Sequence, residues 1–437
     1  MPFSKSLRDQ VDRYLAKMQD MPRTIDPQDT RRGLRYMTPS GAIFLDEAQR
    51  AELFQLVENI RTKYAKHEWS FAKIKDVVQE AILVARENAD REMDKEQRRR
   101  AIAHIETVLD KPFIEWEVYF SIIGINEDCL PIDVGRTSFH PPPDSLSAKL
   151  VFADDAPCDL PESVRASCRQ GAREEIDDEF GNSPWACVKV MAFEGDDSAA
   201  ATAGLEEIRL TLDVVNFYAD LWRPINYRAR AALKCEPDPT ILAYIARPVG
   251  KEVFSPATDN VGPIDDVWLY PADAEAAKEY AFDRVAEILK KDDTNRTEID
   301  HRLLAALRWA GRATIARRRD EAFLLFMMAL EALVMGTKHA DAITYRLQLR
   351  IGQLASPEVR KKLSTEIREL YDKRSRLVHS GIAEISELDL WRARNITKDT
   401  VIKLLQREPF VSMTKNKEMD DWFDDRIAGH AATDASD

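Results

Sequence analysis

The stretch Ile367-Arg-Glu-Leu-Tyr-Asp-Lys-Arg-Ser-Arg-Leu-Val-His-Ser-Gly381 decides how the chain is read. It predicts the end of a helix stopped by Gly381, with Lys373, Arg374, Arg376 and His379 gathered at a basic C-terminus. Arginine carries a permanent charge on a planar fork that grips phosphate oxygens through two parallel hydrogen bonds. Histidine is the side chain whose ordinary pKa, about 6.5, lies closest to neutral. Arg374 and His379, with four residues between them, are therefore the types needed to handle a phosphodiester. Regular helix rotates a side chain by about 140° over five residues, so the two do not share one face, whereas Arg376 and His379 do. One phosphate can meet both if the last turn unwinds before Gly381, or if a second copy supplies one of the pair across a two-fold interface. Without any chemistry, the same cations simply offset the negative end of the helix dipole.

The flanking sequence gives this motif a context. Leu303–Ala316 and Glu321–Val334 read as two helices, Tyr345-Arg346-Leu347 follows, and a polar-apolar helix begins near Glu384 after the motif. In this order the last third of the chain resembles the Apea-like branch of the HEPN domains. The resemblance implies a four-helix bundle whose Arg-x4-6-His motif, here Arg374 and His379, marks a metal-independent endoribonuclease. Such enzymes often serve in prokaryotic toxin and phage-defence systems, which implies RNA as partner, a homodimer through the bundle, and a sensor or antitoxin yet to be identified. The residue after the arginine is frequently Asn, Asp or His in the family and is Ser375 here, a weaker polar helper. No metal or cofactor is expected.

The expected fold class is α+β and mainly α. A helical N-terminal region (1–110) and a mixed α+β domain of unassigned role (111–280) precede the HEPN-like bundle (290–410), and a polar, partly disordered tail (411–437) follows. A chain of 437 residues exceeds one ordinary core. Its longest apolar run, Ala322–Met335, is interrupted by Glu331 and falls short of the roughly 20 residues of a membrane span. The N-terminus lacks a secretory apolar core, so a cytoplasmic location is expected. Five cysteines, Cys129, Cys158, Cys168, Cys187 and Cys235, form no Cys-x-x-Cys pair and read as reduced thiols. A net charge of −13 excludes a protein that coats nucleic acid over its whole surface. Between Gly311 and Ser380, however, 14 Lys and Arg stand against 8 Asp and Glu, a basic locus on an acidic body.

Along the chain, Leu7–Met18 is amphipathic and Met21–Ser40, with three prolines, reads as a loop. Asp46 with Gln49 resembles a capping box for a helix through Lys63, Ser70 caps the next, and a third spans Lys95–Leu109. Arg98-Arg99-Arg100 on that third helix reads as a solvated face. From Ile114 the period becomes that of a half-buried strand. Arg173–Phe180 reads as a solvated acidic loop, Cys187–Phe193 as a buried strand and Ala199–Trp222 as a long helix. Ile241–Ala246 and Val267–Tyr270 are further candidate strands. Phosphate-binding, dinucleotide-binding, serine-elbow and His-Glu-x-x-His motifs are absent.

Glu331 sits in a helix apolar on all sides and so needs a partner or a proton. It is expected to pair with Arg346 or Arg374 and to orient an arginine at the site. Ser356-Pro357-Glu358 opens the helix that carries the motif. The expected reaction is transesterification: a 2′-hydroxyl attacks the neighbouring phosphorus, His379 transfers protons, Arg374 meets the growing charge, and Lys373, Ser375 and Arg376 hold substrate. Two other readings stay open, a non-catalytic RNA- or nucleotide-binding module and a protein-interaction scaffold.

Overall fold

The computed structural model describes residues 3–17, 34–38, 41–45, 47–63, 69–86, 94–142, 170, 174, 183–222, 230–233, 241–246, 255–260, 276–335, 343–381 and 383–429. Over these residues the protein is mainly helical, with a small antiparallel sheet. It divides into two units, Met1–Val118 with Lys189–Leu205, and Tyr119–Val188 with Glu206–Asp437.

In the first unit, helices α1 (Lys5–Lys17), α2 (Glu47–Lys63), α3 (Phe71–Arg86) and α4 (Lys95–Leu109) each turn one apolar stripe inward. Leu7, Val11, Leu53, Val57, Ile74, Val78 and Ile105 are fully buried there. Ser70 caps α3 as its sequence predicts: its hydroxyl accepts from the Lys73 N–H at 3.1 Å and donates to Asp196 at 2.7 Å. Helix α4 opens on a capping box made by Asp94 and Gln97. Its three arginines are surface ion-pair partners, Arg98 to Asp12 at 2.8 Å and Arg99 and Arg100 to Glu96. The expected loop over Met21–Ser40 holds a strand instead: β1 (Leu34–Thr38) pairs antiparallel with β2 (Gly41–Leu45). Asp46 lies outside the described residues.

The sheet is ordered β4-β5-β6-β3-β7, from β3 (Phe113–Ile123), β4 (Ile132–Val134), β5 (Thr137–His140), β6 (Trp185–Phe193) and β7 (Ala232–Leu233). Strand β6 is half-buried, not fully buried. Ala186, Val188, Val190 and Ala192 face inward, while Lys189 on the other face reaches Glu115 and Glu117 of β3 at 3.4 and 3.5 Å. Helix α5 (Asp197–Trp222) follows, and β8 (Ile241–Ala246) pairs with β9 (Ser255–Asn260). The candidate strand Val267–Tyr270 lies outside the described residues, as does the acidic run at 173–180 apart from Glu174.

After α6 (Phe282–Lys290), the second unit continues with α7 (Glu298–Ile315), α8 (Arg319–Val334), α9 (Ile343–Gln353), α10 (Pro357–Ser380), α11 (Glu387–Gln406) and α12 (Asn416–Ala428). The predicted stripe of α7 (Ile299, Leu303, Ala306, Leu307 and Ala310) is buried throughout. From Ala322 onward α8 is apolar but for Glu331, and it packs against α7, α9, α10 and α11, which is why that stretch needs no polar face. Helix α12 occupies the stretch expected to be a polar tail. Only Met419 and Phe423 on it are apolar and buried, too few to stand out against the seven charges of the helix, yet it supplies carboxylates to Arg350. Arg350 on α9 is 1% exposed and donates to the Val334 carbonyl at 2.7 Å and to Asp420 at 2.6 Å, with Asp424 at 3.2 Å. No described helix is long and apolar enough to cross a membrane.

Asp420 is the counter-charge of a buried cation, whereas Asp424 is mostly exposed. Asp420→Ala should lower folding stability by about 3 kcal/mol, and Asp424→Ala by less than about 1 kcal/mol. Chemical denaturation of the two variants side by side measures the difference.

Candidate functional site

Helix α10 opens with Ser356 at its N-cap and Pro357 in its first turn, although the Ser356 hydroxyl caps no backbone N–H. It runs as regular α-helix to Ser380 and stops at Gly381, whose φ of 68° is left-handed and whose N–H bonds the Leu377 carbonyl at 3.0 Å. The last turn does not unwind. Within one chain, Arg374 and His379 accordingly stay about 140° apart around the helix axis.

Their surroundings differ to match. Arg374 turns toward α8, where its Nε lies 3.0 Å from Glu331 Oε1 and its Nη2 donates to Oε2 at 3.2 Å. The second contact has hydrogen-bond geometry, while Oε1 is held by charge alone. The guanidinium also stands 5.4 Å from the ring centre of Tyr371, a buried residue one turn earlier. Of the two arginines offered to Glu331 by the sequence, it is Arg374 that pairs with it; Arg346 is half-buried on α9. Burial raises the Glu331 carboxyl above its ordinary range, and the Arg374 charge only partly offsets this. Burial likewise raises the Tyr371 phenol, with the Glu331 charge adding to it.

His379 is exposed in the last turn, beside Val378, which is 51% exposed. Lys373 does not project freely toward substrate. Its ammonium lies 2.5 Å from Asp389, a buried residue that also completes the capping box of α11 with Ser386. Burial alone would raise the Asp389 carboxyl, but the bonds from Lys373 and Ser386 prevail and hold it below its ordinary range. Ser375 is half-buried. Arg376 is exposed and donates to the Asp372 carbonyl at 3.4 Å. The structure thus brings Arg374, Glu331 and Tyr371 together and separates them from His379.

Two residues of this neighbourhood escaped the sequence reading. Tyr371 is one; its position one turn before Arg374 was the available signal. Arg350 is the other, and it falls in line with the buried Leu347 and Ile351, an arginine on an apolar stripe. Among the described residues, no group of three or more His, Cys, Asp or Glu side chains is arranged to hold a metal ion. No protein-family model, curated protein or solved structure matches the chain.

Removing Arg374 strands the Glu331 carboxylate beside apolar neighbours. Arg374→Ala should cost about 1–3 kcal/mol at pH 7. The carboxyl pKa already stands raised in the folded state and rises further in this variant. Between the ordinary carboxyl range and the raised value the folded chain binds more protons than the unfolded one, so stability increases as pH falls. Denaturation midpoints of Arg374→Ala and the parent should therefore draw together as pH falls from neutral toward the ordinary carboxyl range; a constant gap would contradict this assignment.

Proposed function

We propose that the chain is a metal-independent endoribonuclease of the HEPN type, active as a homodimer in which Arg374 of one protomer and the partner's His379 meet over one phosphodiester. The observation that carries this reading is the opposite orientation of the two groups on an unbroken helix. One chain cannot present both to the same phosphate, whereas two chains related by a two-fold axis can. Apolar side chains exposed at this end of the helices, Val378 on α10 and Leu388 and Trp391 on α11, supply surface for such a contact.

The roles follow from the chemistry of RNA transesterification. One His379 takes the proton of the 2′-hydroxyl as its oxygen attacks the phosphorus. The P–O5′ bond breaks, and the same imidazolium returns its proton to the leaving oxygen, leaving a 2′,3′-cyclic phosphate and a 5′-hydroxyl. Arg374, oriented by Glu331, meets the negative charge that grows on the non-bridging oxygens. Lys361, Arg368, Arg376 and His379 fall within about 80° of one another around α10, and the side chains of all four are exposed. That stripe, broken by Asp372, offers a track for the RNA backbone. DNA lacks the attacking hydroxyl and should not be cut. A regulated effector of the toxin or defence kind, held by a sensor or antitoxin, is the corresponding biological role.

A second reading is a bundle that binds RNA or nucleotides without cutting. It is favoured by the engagement of two motif cations inside the chain, Arg374 with Glu331 and Lys373 with Asp389.

Complementation separates these readings. Arg374→Ala and His379→Ala should each reduce RNA cleavage in EDTA by about 100-fold or more. Unfolded together and refolded as a mixture, they should regain roughly a quarter of parent activity, because half the dimers are mixed and each mixed dimer holds one intact site. No recovery would mean that both groups act from one chain, and RNA binding without cleavage by the parent would favour the second reading.

A further inference from the structure

Ion pairs tie many cations of the second unit into its fold, but three on α10 are left out of that network. Among the described residues, Lys361, Arg368 and Arg376 have no carboxylate within ion-pair distance, and Arg376 bonds only the backbone carbonyl of Asp372, at 3.4 Å. All three side chains are exposed. Asp372 lies among them and Glu358 stands one turn before Lys361. The other carboxylates of this stretch are answered elsewhere, Glu366 by Lys362 at 4.0 Å and Glu369 by Arg392 at 3.8 Å.

Beside this line stands an exposed aromatic ring. Tyr345, in the first turn of α9, is 60% exposed and makes no ring contact or hydrogen bond through its side chain among the described residues. Helices α9 and α10 run antiparallel in close contact. The Ser364 hydroxyl donates to the Gln348 carbonyl at 3.2 Å, Arg360 Nε donates to that of Gly352 at 3.2 Å, and a Cβ on Gly352 would lie 2.8 Å from the Ser364 hydroxyl oxygen. Gly352, Gln348 and Tyr345 fall within about 60° of one another around α9, and Arg368 lies about 40° from Ser364 around α10. Tyr345 and Arg368 therefore each stand about one turn past the Ser364–Gln348 bond, on the flank where the two helices meet.

Cations without counter-charges attract a phosphate backbone, and a ring alongside them offers a face on which a base can stack. Only a base released from a duplex has a face to give, so this pairing of groups selects a single strand. We infer that the α9–α10 flank binds single-stranded RNA, with phosphates along Lys361, Arg368 and Arg376 and one unpaired base on Tyr345. The inference rests on RNA being the substrate and adds to that reading a subsite away from the cut. Arg368 lies eleven residues before His379, about 16 Å along a regular helix. The base on Tyr345 thus belongs to a nucleotide some positions removed from the bond that breaks, and the strand is selected at a distance from the chemistry.

Fluorescence anisotropy of the full chain with a labelled 12-nucleotide 2′-O-methyl RNA, which cannot be cut, tests binding apart from cleavage. The single strand should bind about tenfold or more tighter than the same sequence as a duplex. Tyr345→Leu should weaken single-strand binding about tenfold while Tyr345→Phe, which keeps the ring, binds like the parent. Arg368→Gln should weaken both forms and lower the slope of log affinity against log salt by about 0.7 for the single strand. Both positions are exposed, so thermal unfolding of the variants should match that of the parent. The proposal is overturned if the parent fails to bind the single strand at about 10 μM, if the duplex binds as tightly, if Tyr345→Leu binds like the parent, or if Tyr345→Phe loses as much as Tyr345→Leu. Unlabelled RNA of the same sequence separates this from the ribonuclease reading: binding as expected with no cleavage of it defeats that reading alone, and cleavage with an indifferent Tyr345→Leu defeats this one alone.

Discussion

A helix as apolar as α8 can be buried on every side, but its last carbonyls cannot be left without donors. Here Arg302 donates to the Ala332 carbonyl at 3.1 Å and Arg350 to that of Val334 at 2.7 Å. Two guanidinium groups beside one helix end repel each other, and burial, against the opposing charge of Asp420 and with a smaller push from Arg350, brings the Arg302 pKa down to about 10. Asp420 makes the arrangement tolerable, 2.6 Å from Arg350 and 3.8 Å from Arg302. The central helix, and with it α9 and α10 packed against it, depends on one carboxylate near the end of the chain.

That dependence reaches the candidate site through Glu331, which lies in the same final turn of α8. Because α8 is fixed, Glu331 is fixed, and Arg374 has one place to go. The rotation of α10 is set a second time by Lys373 on Asp389 and again by Glu369, 3.8 Å from Arg392. Lys373 and Arg374 are thus structural ties in addition to any part in chemistry. His379 lies in the exposed last turn of α10, where a basic side chain also offsets the negative end of the helix dipole.

The helices were legible where the apolar period was long. The stripe Ile299–Ala310, the all-apolar α8, α4 from Lys95 to Leu109 and the alternation from Ile114 are all written in local sequence. Asp420 was not legible, because its role depends on Arg350, 70 positions away, and a charged helix with two apolar anchors resembles a tail. The pairing of β1 with β2 was hidden because Met21–Ser40, with its three prolines, reads as a loop. The Glu331 problem was visible, since a carboxylate in an apolar helix must be answered; which arginine answers it was a matter of packing.

Charge counting shows the same limit from another side. Residues 311–380 carry six more cations than anions, which suggests a broad basic surface. Much of that excess is answered from outside the window, Arg312 by Asp213, Arg319 by Glu387, Arg350 by Asp420 and Asp424, and Lys373 by Asp389. A local excess in sequence therefore overstates the local field in space, where each ion pair leaves only a dipole at a distance. What survives as outward charge is narrower, the exposed line of Lys361, Arg368 and Arg376 that ends at His379. On a chain of net charge −13, an exposed cationic line on α10 can attract a polyanion to that face, so the ion pairs that tie other cations of this window into the fold also narrow where along it a nucleic acid could approach.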